Sequence, residues 1–192
     1  MVPMSCIKHY LDEYDKALLK TLARESIQQG LLGKKLAIDV TRYSSALQVQ
    51  GASFVTLQHN GQLRGCIGTL EPYQFLVEDV VEHAFAAAFR DPRFPPLTIE
   101  EFSVLEISIS VLSRPEPITF SDESDLIQQL QSGIDGLILT DQGQRGTFLP
   151  SVWESIPDPG SFLKQLKLKA GLPMDYWSDT LSVSRYTTET IA

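Results

Sequence analysis

The chain has 192 residues, 43% apolar and 21% charged, a composition that excludes a disordered or low-complexity protein and fits one folded domain or one domain with a small satellite. Its formal charge of −8 argues against non-specific nucleic-acid binding, because an acidic surface repels phosphate backbones, though a local basic groove would be compatible with it. No apolar run approaches the ~18 residues of a membrane span, Met1 to Lys8 lack an apolar signal core, and Cys6 and Cys66 read as lone thiols of a reducing compartment, so a cytoplasmic protein with no membrane partner is expected.

A helix is predicted from about Lys8 to Gln29. Leu11, Tyr14, Leu18, Leu22 and Ile27 fall near one face, Asp12, Glu13, Asp15 and Lys16 face away, and Gly30 and Gly33 stop it. Lys34 to Gln50 reads as a connector. Phe54 to Leu57 and the residues from Leu63 onward read as two strands joined by a type I′ turn at Asn60-Gly61. That register pairs His59 with Gln62, Leu57 with Arg64 and Val55 with Cys66. It puts Arg64, Cys66, Val55 and Leu57 on one face, and Phe54, Thr56, Leu63 and Ile67 on the other.

Gln74 to Arg90 reads as a helix with a stripe of Val77, Val80, Val81, Ala84, Phe85 and Ala88 opposite Glu78, Asp79 and Glu82. Pro92 ends it, and Asp91 to Pro96 form a stiff loop because prolines fix φ and restrict the residue before them. A strand over Val104 to Leu112 follows, then a short helix over Asp125 to Gln131. A hairpin of Gly136 to Thr140 with Gly146 to Leu149 turns at Gln142-Gly143. A helix over Ser161 to Ala170 and a last strand over Leu181 to Tyr186 complete the order. Neighbouring hairpins imply an α+β fold: an antiparallel or mixed sheet packed with helices, plus a smaller α/β subdomain. No glycine-rich nucleotide fingerprint follows a strand.

Cys66 is the first chemical candidate. A thiol reacts as thiolate and needs a cation or a base nearby, and Arg64, two residues away on one predicted face, is within reach of it. Gly65 and Gly68 weaken a strand but let a ligand or another backbone come close. The plainer reading makes Cys66 a small buried residue against Val55. Asp91 and Arg93 are the second candidate: an acid at a helix C-terminus opposes the helix dipole and calls for a partner. They either present side chains to the Arg64–Cys66 face or form a salt bridge, to each other or from Asp91 to Arg64, that pins the loop. His59 reads as exposed, His83 as an exposed i,i+4 partner of Asp79, and His9 lies near the terminus. None has a metal-ligand spacing with Cys66, so no tightly bound metal is expected, and nothing in the sequence names a cofactor. Lys164, Lys167 and Lys169 read as the solvated face of a packed helix, and Leu149-Pro150 with Trp153 as a loop over the sheet.

The stretches Gly51 to Leu57, Leu63-Arg64-Gly65-Cys66-Ile67-Gly68-Thr69-Leu70, Asp91-Pro92-Arg93-Phe94-Pro95-Pro96-Leu97, Ile109 to Leu112, Leu149-Pro150 and Lys169 to Pro173 resemble, in this order, the AMMECR domain family. The signature region runs from about residue 51 to 173, and residues 1–192 would form one AMMECR-type domain with a larger and a smaller subdomain. The resemblance extends to the AMMECR-type component of the AmmeMemoRadiSam system. It implies a site made of Cys66, Arg64 and Asp91 as catalytic residues, with Gly65, Gly68 and Arg93 as ligand-binding residues. It implies an enzyme modifying a small molecule, nucleotide or base. The alternative is a non-catalytic scaffold that partners a Memo-like or radical S-adenosylmethionine protein.

Overall fold

The computed structural model describes residues 11–192, so Cys6, His9 and the start of the helix predicted from Lys8 lie outside the described residues. The chain forms two compact units, one of residues 11–111 with 190–192 and one of Leu112–Glu189. Both combine helices with antiparallel sheet, so the class is α+β. No described helix is long and apolar enough to cross a membrane.

In the first unit, helix α1 (Glu13–Leu31) starts at Asp12, whose carboxylate accepts from the Asp15 amide. Its buried stripe is Asp15, Leu19, Leu22, Ala23, Ser26 and Ile27. This corrects the predicted face: Tyr14 is 73% exposed, and Asp15 is buried, accepting from the Ser44 hydroxyl at 2.8 Å. A stripe at i,i+4 and i,i+7 back from Leu22 passes through Asp15, and the satisfied carboxylate fits there where tyrosine does not. Gly30 lies inside the helix rather than ending it, and Gly33, at φ +70°, follows the end.

Strands β1 (Gln50–Gly51) and β4 (Gln74–Phe75) form a short ladder. Strands β2 (Ser53–His59), β3 (Gln62–Gly68), β5 (Leu105–Leu112) and β10 (Thr188–Ile191) form a sheet in the order β10-β5-β2-β3. Val55, Leu57, Leu105, Ile107 and Ile109 make its core face. Helix α2 (Leu76–Phe89) packs on β2 and β3, and α1 packs on α2. One polar cluster is sealed in this core. Buried Asp79 accepts from the Ser53 hydroxyl at 2.6 Å and lies 3.2 Å from His83 Nδ1. The Asp79–His83 spacing is therefore a real pair, but a buried one, not the exposed pair expected. Strand β10 was not anticipated: the strand ending at Tyr186 was read as closing the chain, yet Ile191 is buried in the first core.

In the second unit, β6 (Glu116–Pro117), β7 (Gly136–Asp141), β8 (Gln144–Phe148) and β9 (Ser182–Tyr186) form a sheet in the order β6-β9-β7-β8. The β7–β8 turn is Gln142-Gly143, with φ 45° and 82°. Helices α4 (Glu123–Gln129) and α5 (Pro159–Lys169) close the core, where Trp153 stacks on Phe162 at 3.6 Å. Lys167 departs from the solvated face expected of it. It is fully buried, donates to Glu123 at 2.7 Å and lies 5.6 Å from the Trp177 ring.

Candidate functional site

The Asn60-Gly61 turn has φ 52° and 73°, the two positive values a type I′ turn requires. His59 pairs with Gln62 as expected. A bulge then intervenes: Gln58 pairs with Leu63 and Leu57 with Gly65, leaving Arg64 as the extra residue. Every later pair shifts by one. Cys66 stands opposite Thr56 rather than Val55, and Val55 faces Ile67. The predicted face is thus corrected. Cys66 shares the polar side of the sheet with Thr56, and Ser108 of β5 stands next in the same row. Gly65 and Ile67 lie on the side of Val55 and Leu57.

The glycines on this strand serve close packing. A Cβ on Gly65 would collide with the Ala87 carbonyl oxygen of α2, and one on Gly68 with the Ser53 carbonyl and the Phe54 ring. The close approach that Gly65 permits is that of a helix backbone.

Arg64 is buried and turned to the loop after α2. Its Nε donates to Glu101 Oε1 at 2.6 Å, and its Nη2 donates to Glu101 Oε2 at 3.0 Å and to the Pro95 carbonyl at 2.9 Å. Nη1 is buried without a hydrogen-bond partner among the described residues, and the guanidinium carbon lies 5.7 Å from the Phe94 ring centroid. Glu101 in turn accepts from the Thr98 amide, closing the capping box of α3 (Ile99–Phe102). The hydrogen bonds from Arg64, helped by the Thr98 amide and opposed by burial, hold the Glu101 carboxyl down to about 2. Glu101 was not among the candidates read from the sequence. Its only signal there was Thr98-x-x-Glu101, a capping pattern that does not reveal Arg64 as a partner. Replacing Arg64 by lysine, which cannot reproduce the bidentate fork, is expected to cost about 1–2 kcal/mol in urea unfolding.

Asp91 and Arg93 form the second group. Buried Asp91 accepts from the Cys66 amide at 2.9 Å, the Arg93 amide at 3.1 Å, Arg93 Nε at 2.9 Å and Arg93 Nη2 at 2.6 Å. The Arg93 side-chain bonds first, and then the two amides, hold its carboxyl far below the usual carboxylate range against the cost of burial. Arg93 Nη2 also donates to the Cys66 carbonyl at 3.2 Å. The pair therefore satisfies both backbone groups of Cys66 on the open edge of β3, where a further strand would otherwise add. Because those groups point outward, Cys66 and Thr56 are a non-hydrogen-bonded pair, the kind whose side chains stand closest. The Thr56 hydroxyl accordingly donates to Cys66 Sγ at 3.4 Å.

The structure thus brings Cys66, Asp91 and Arg93 together and turns Arg64 to Glu101. Cys66 is half-buried and the Arg93 side chain is 52% exposed. Thr56 was missed because only the bulge brings it opposite the thiol. No group of His, Cys, Asp and Glu side chains that could hold a metal ion occurs among the described residues.

An α+β chain whose edge strand carries a half-buried thiol, clamped by an aspartate–arginine pair from a proline-rich loop, is the class these elements define. The chain belongs to the AMMECR1 family, whose model matches residues 20–191. It is similar to Protein MJ0810 of Methanocaldococcus jannaschii, 38% identical over 162 residues, 81% of this chain and 78% of that protein. It is also similar to Protein SSO0193 of Saccharolobus solfataricus, 38% identical over 178 residues, 88% of this chain and 77% of that one. Among solved structures it is similar to the uncharacterized protein PH0010 from Pyrococcus horikoshii, with a TM-score of 0.84, 34% identity and coverage of 95% of this chain and 92% of that one.

Proposed function

We propose that this chain is an enzyme that binds a small anionic compound, such as a nucleotide, on the polar face of its first sheet and reacts with it through the Cys66 thiol. The observation that carries this reading is the setting of Cys66: a half-buried residue whose sulfur accepts from Thr56 and whose carbonyl accepts from Arg93, a side chain 52% exposed. A cysteine that only fills space sits sealed among apolar neighbours, whereas a hydroxyl donor and a cation are what a reactive thiol uses. Arg93 is the anion-binding group, since its side chain stays 52% exposed and can meet a carboxylate or phosphate. Asp91 positions Arg93 and the Cys66 backbone. Arg64 positions the loop that carries them.

Iodoacetamide labelling of the folded chain in a Cys6→Ser background tests this. Cys66 is expected to react at least as fast as in the urea-unfolded chain, and Thr56→Val to slow it about fivefold, the worth of one hydrogen bond of ~1 kcal/mol. A folded-state rate far below the unfolded one, unchanged by Thr56→Val, overturns a thiol mechanism.

A second reading has its own observation. Arg64, Glu101 and Asp91 direct their hydrogen bonds within the chain, as residues of a non-catalytic scaffold would. Its partner would be a Memo-like or radical S-adenosylmethionine protein. Cys66→Ser separates the two: partner capture kept with biological activity lost favours the enzyme, and activity fully kept favours the scaffold.

A further inference from the structure

We infer that the first unit holds a second small-molecule site, separate from the Cys66 face, that takes an apolar amino acid or dipeptide as its zwitterion. The site is a cavity of about 250 Å³ lined by α2 and by residues of the connector after α1. Glu78, Val81, Glu82 and Phe85 follow one another at helical spacing on α2, so they share a face, and Arg90 stands just past its end. Leu36 and Ile38 supply apolar wall from the connector.

The charges are sorted along that face. Arg90 and Lys35 stand at one end, their cationic groups 5.2 and 6.0 Å from the centroid of the same Phe85 ring. Neither has a carboxylate partner among the described residues. At the other end Glu78 has no hydrogen-bond or ion-pair partner among the described residues, while Glu82 accepts from Gln74 at 3.1 Å. Lys35 and Arg90 thus line one end of the cavity and Glu78 and Glu82 the other, with Val81 and Phe85 between them.

A ligand that satisfies all of them carries an acid group at the Lys35–Arg90 end, an ammonium at the Glu78–Glu82 end, and an apolar body between. A plain anion would meet the two glutamates, and a plain amine the two cations, so each alone is disfavoured. Size narrows the class further. The volume lies below the ~300–1,000 Å³ typical of sites for drug-sized ligands, which suits one or two amino-acid residues. A dipeptide spans roughly 7 Å from amine to carboxylate, within reach of side chains leaning in from both ends of a helix face that runs ~10 Å between Glu78 and Phe85.

The test is a titration of the isotopically labelled full chain with alanyl-leucine and with leucine, followed by amide NMR shifts. Saturable shifts are expected for residues 34–38 and 78–90 with at least one of the two, and unchanged binding in Cys66→Ser. N-acetylation or C-amidation of the probe should weaken binding on the order of tenfold. Glu78→Gln should remove the penalty for acetylation, and Arg90→Gln the penalty for amidation. Absence of saturable shifts with both zwitterions, equal binding of the neutralised probes, or shifts confined to the surroundings of Cys66 would each overturn the proposal.

Discussion

Gly65→Ala is expected to destabilise the first unit by roughly 3 kcal/mol or more, the upper range for overpacking a core. The added methyl would meet the Ala87 carbonyl oxygen, which is helix backbone and cannot rotate aside as a side chain can. Either β3 or α2 must shift, and both are anchored, β3 by its ladder with β2 and α2 by buried Val77, Val80, Ala84 and Ala88. Gly61→Ala is the control. Its Cβ meets nothing within 4 Å, but its φ is +73°, so only left-handed backbone strain of about 1 kcal/mol is expected. Urea unfolding of both variants, followed by a probe in each unit, should show the large loss for Gly65 alone and in the first unit alone. An unchanged midpoint for Gly65→Ala would mean that the strand and helix are not in this close contact, and would leave Gly65 available for a ligand.

That contrast also marks what the sequence could and could not convey. Local signals were legible: the positive φ values at Asn60-Gly61 and Gln142-Gly143 fall where the two turns were read, and α2, β5 and α5 lie within a few residues of their predicted bounds. The register beyond the first turn was not legible, because a bulge inserts one residue with no compositional mark, and a period of two then moves each later side chain to the opposite face. Cys66 opposite Thr56 and the extra position of Arg64 both follow from that single residue. Buried polar groups were the other gap. Asp15, Asp79, His83 and Lys167 all read as solvated because charge was taken as exposure. Each is buried with a specific partner from elsewhere in the fold or along its own helix, and Ser44 and Glu123 could not be named as partners without the tertiary structure. Within the site, Asp91 and Arg93 were visible as a stiff loop after a helix, and a salt bridge between them was one of the weighed outcomes. Their service to the backbone of Cys66 required knowing that β3 is an edge strand.

That service leads to the second large effect. Asp91→Asn is expected to cost about 2 kcal/mol and to loosen the edge of β3 locally. The carboxylate accepts four hydrogen bonds, and an amide at this position would offer one acceptor oxygen and turn a donor toward the Arg93 guanidinium in either orientation, together with the Cys66 amide in one and the Arg93 amide in the other. A buried donor left facing a donor costs ~1–3 kcal/mol. The charge term adds little, because the Arg93 side chain is 52% exposed and water screens it. The pH dependence carries a sign. Asp91 and Glu101 both have folded-state carboxyls held below their ordinary values, so the unfolded chain binds more protons at acid pH. Their contribution is complete above the ordinary carboxylate range and drains away as pH falls below about 4. In Asp91→Asn the Asp91 share of that loss must vanish, giving a shallower decline of stability between about pH 4 and 2 than in the parent chain. Hydrogen exchange at the Cys66 amide supplies the local readout: it should quicken in the variant by more than exchange in β5 does. Equal quickening throughout the sheet would mean that Asp91 supports the unit in general, and an unchanged Cys66 rate would mean that the clamp on the thiol strand does not hold in solution.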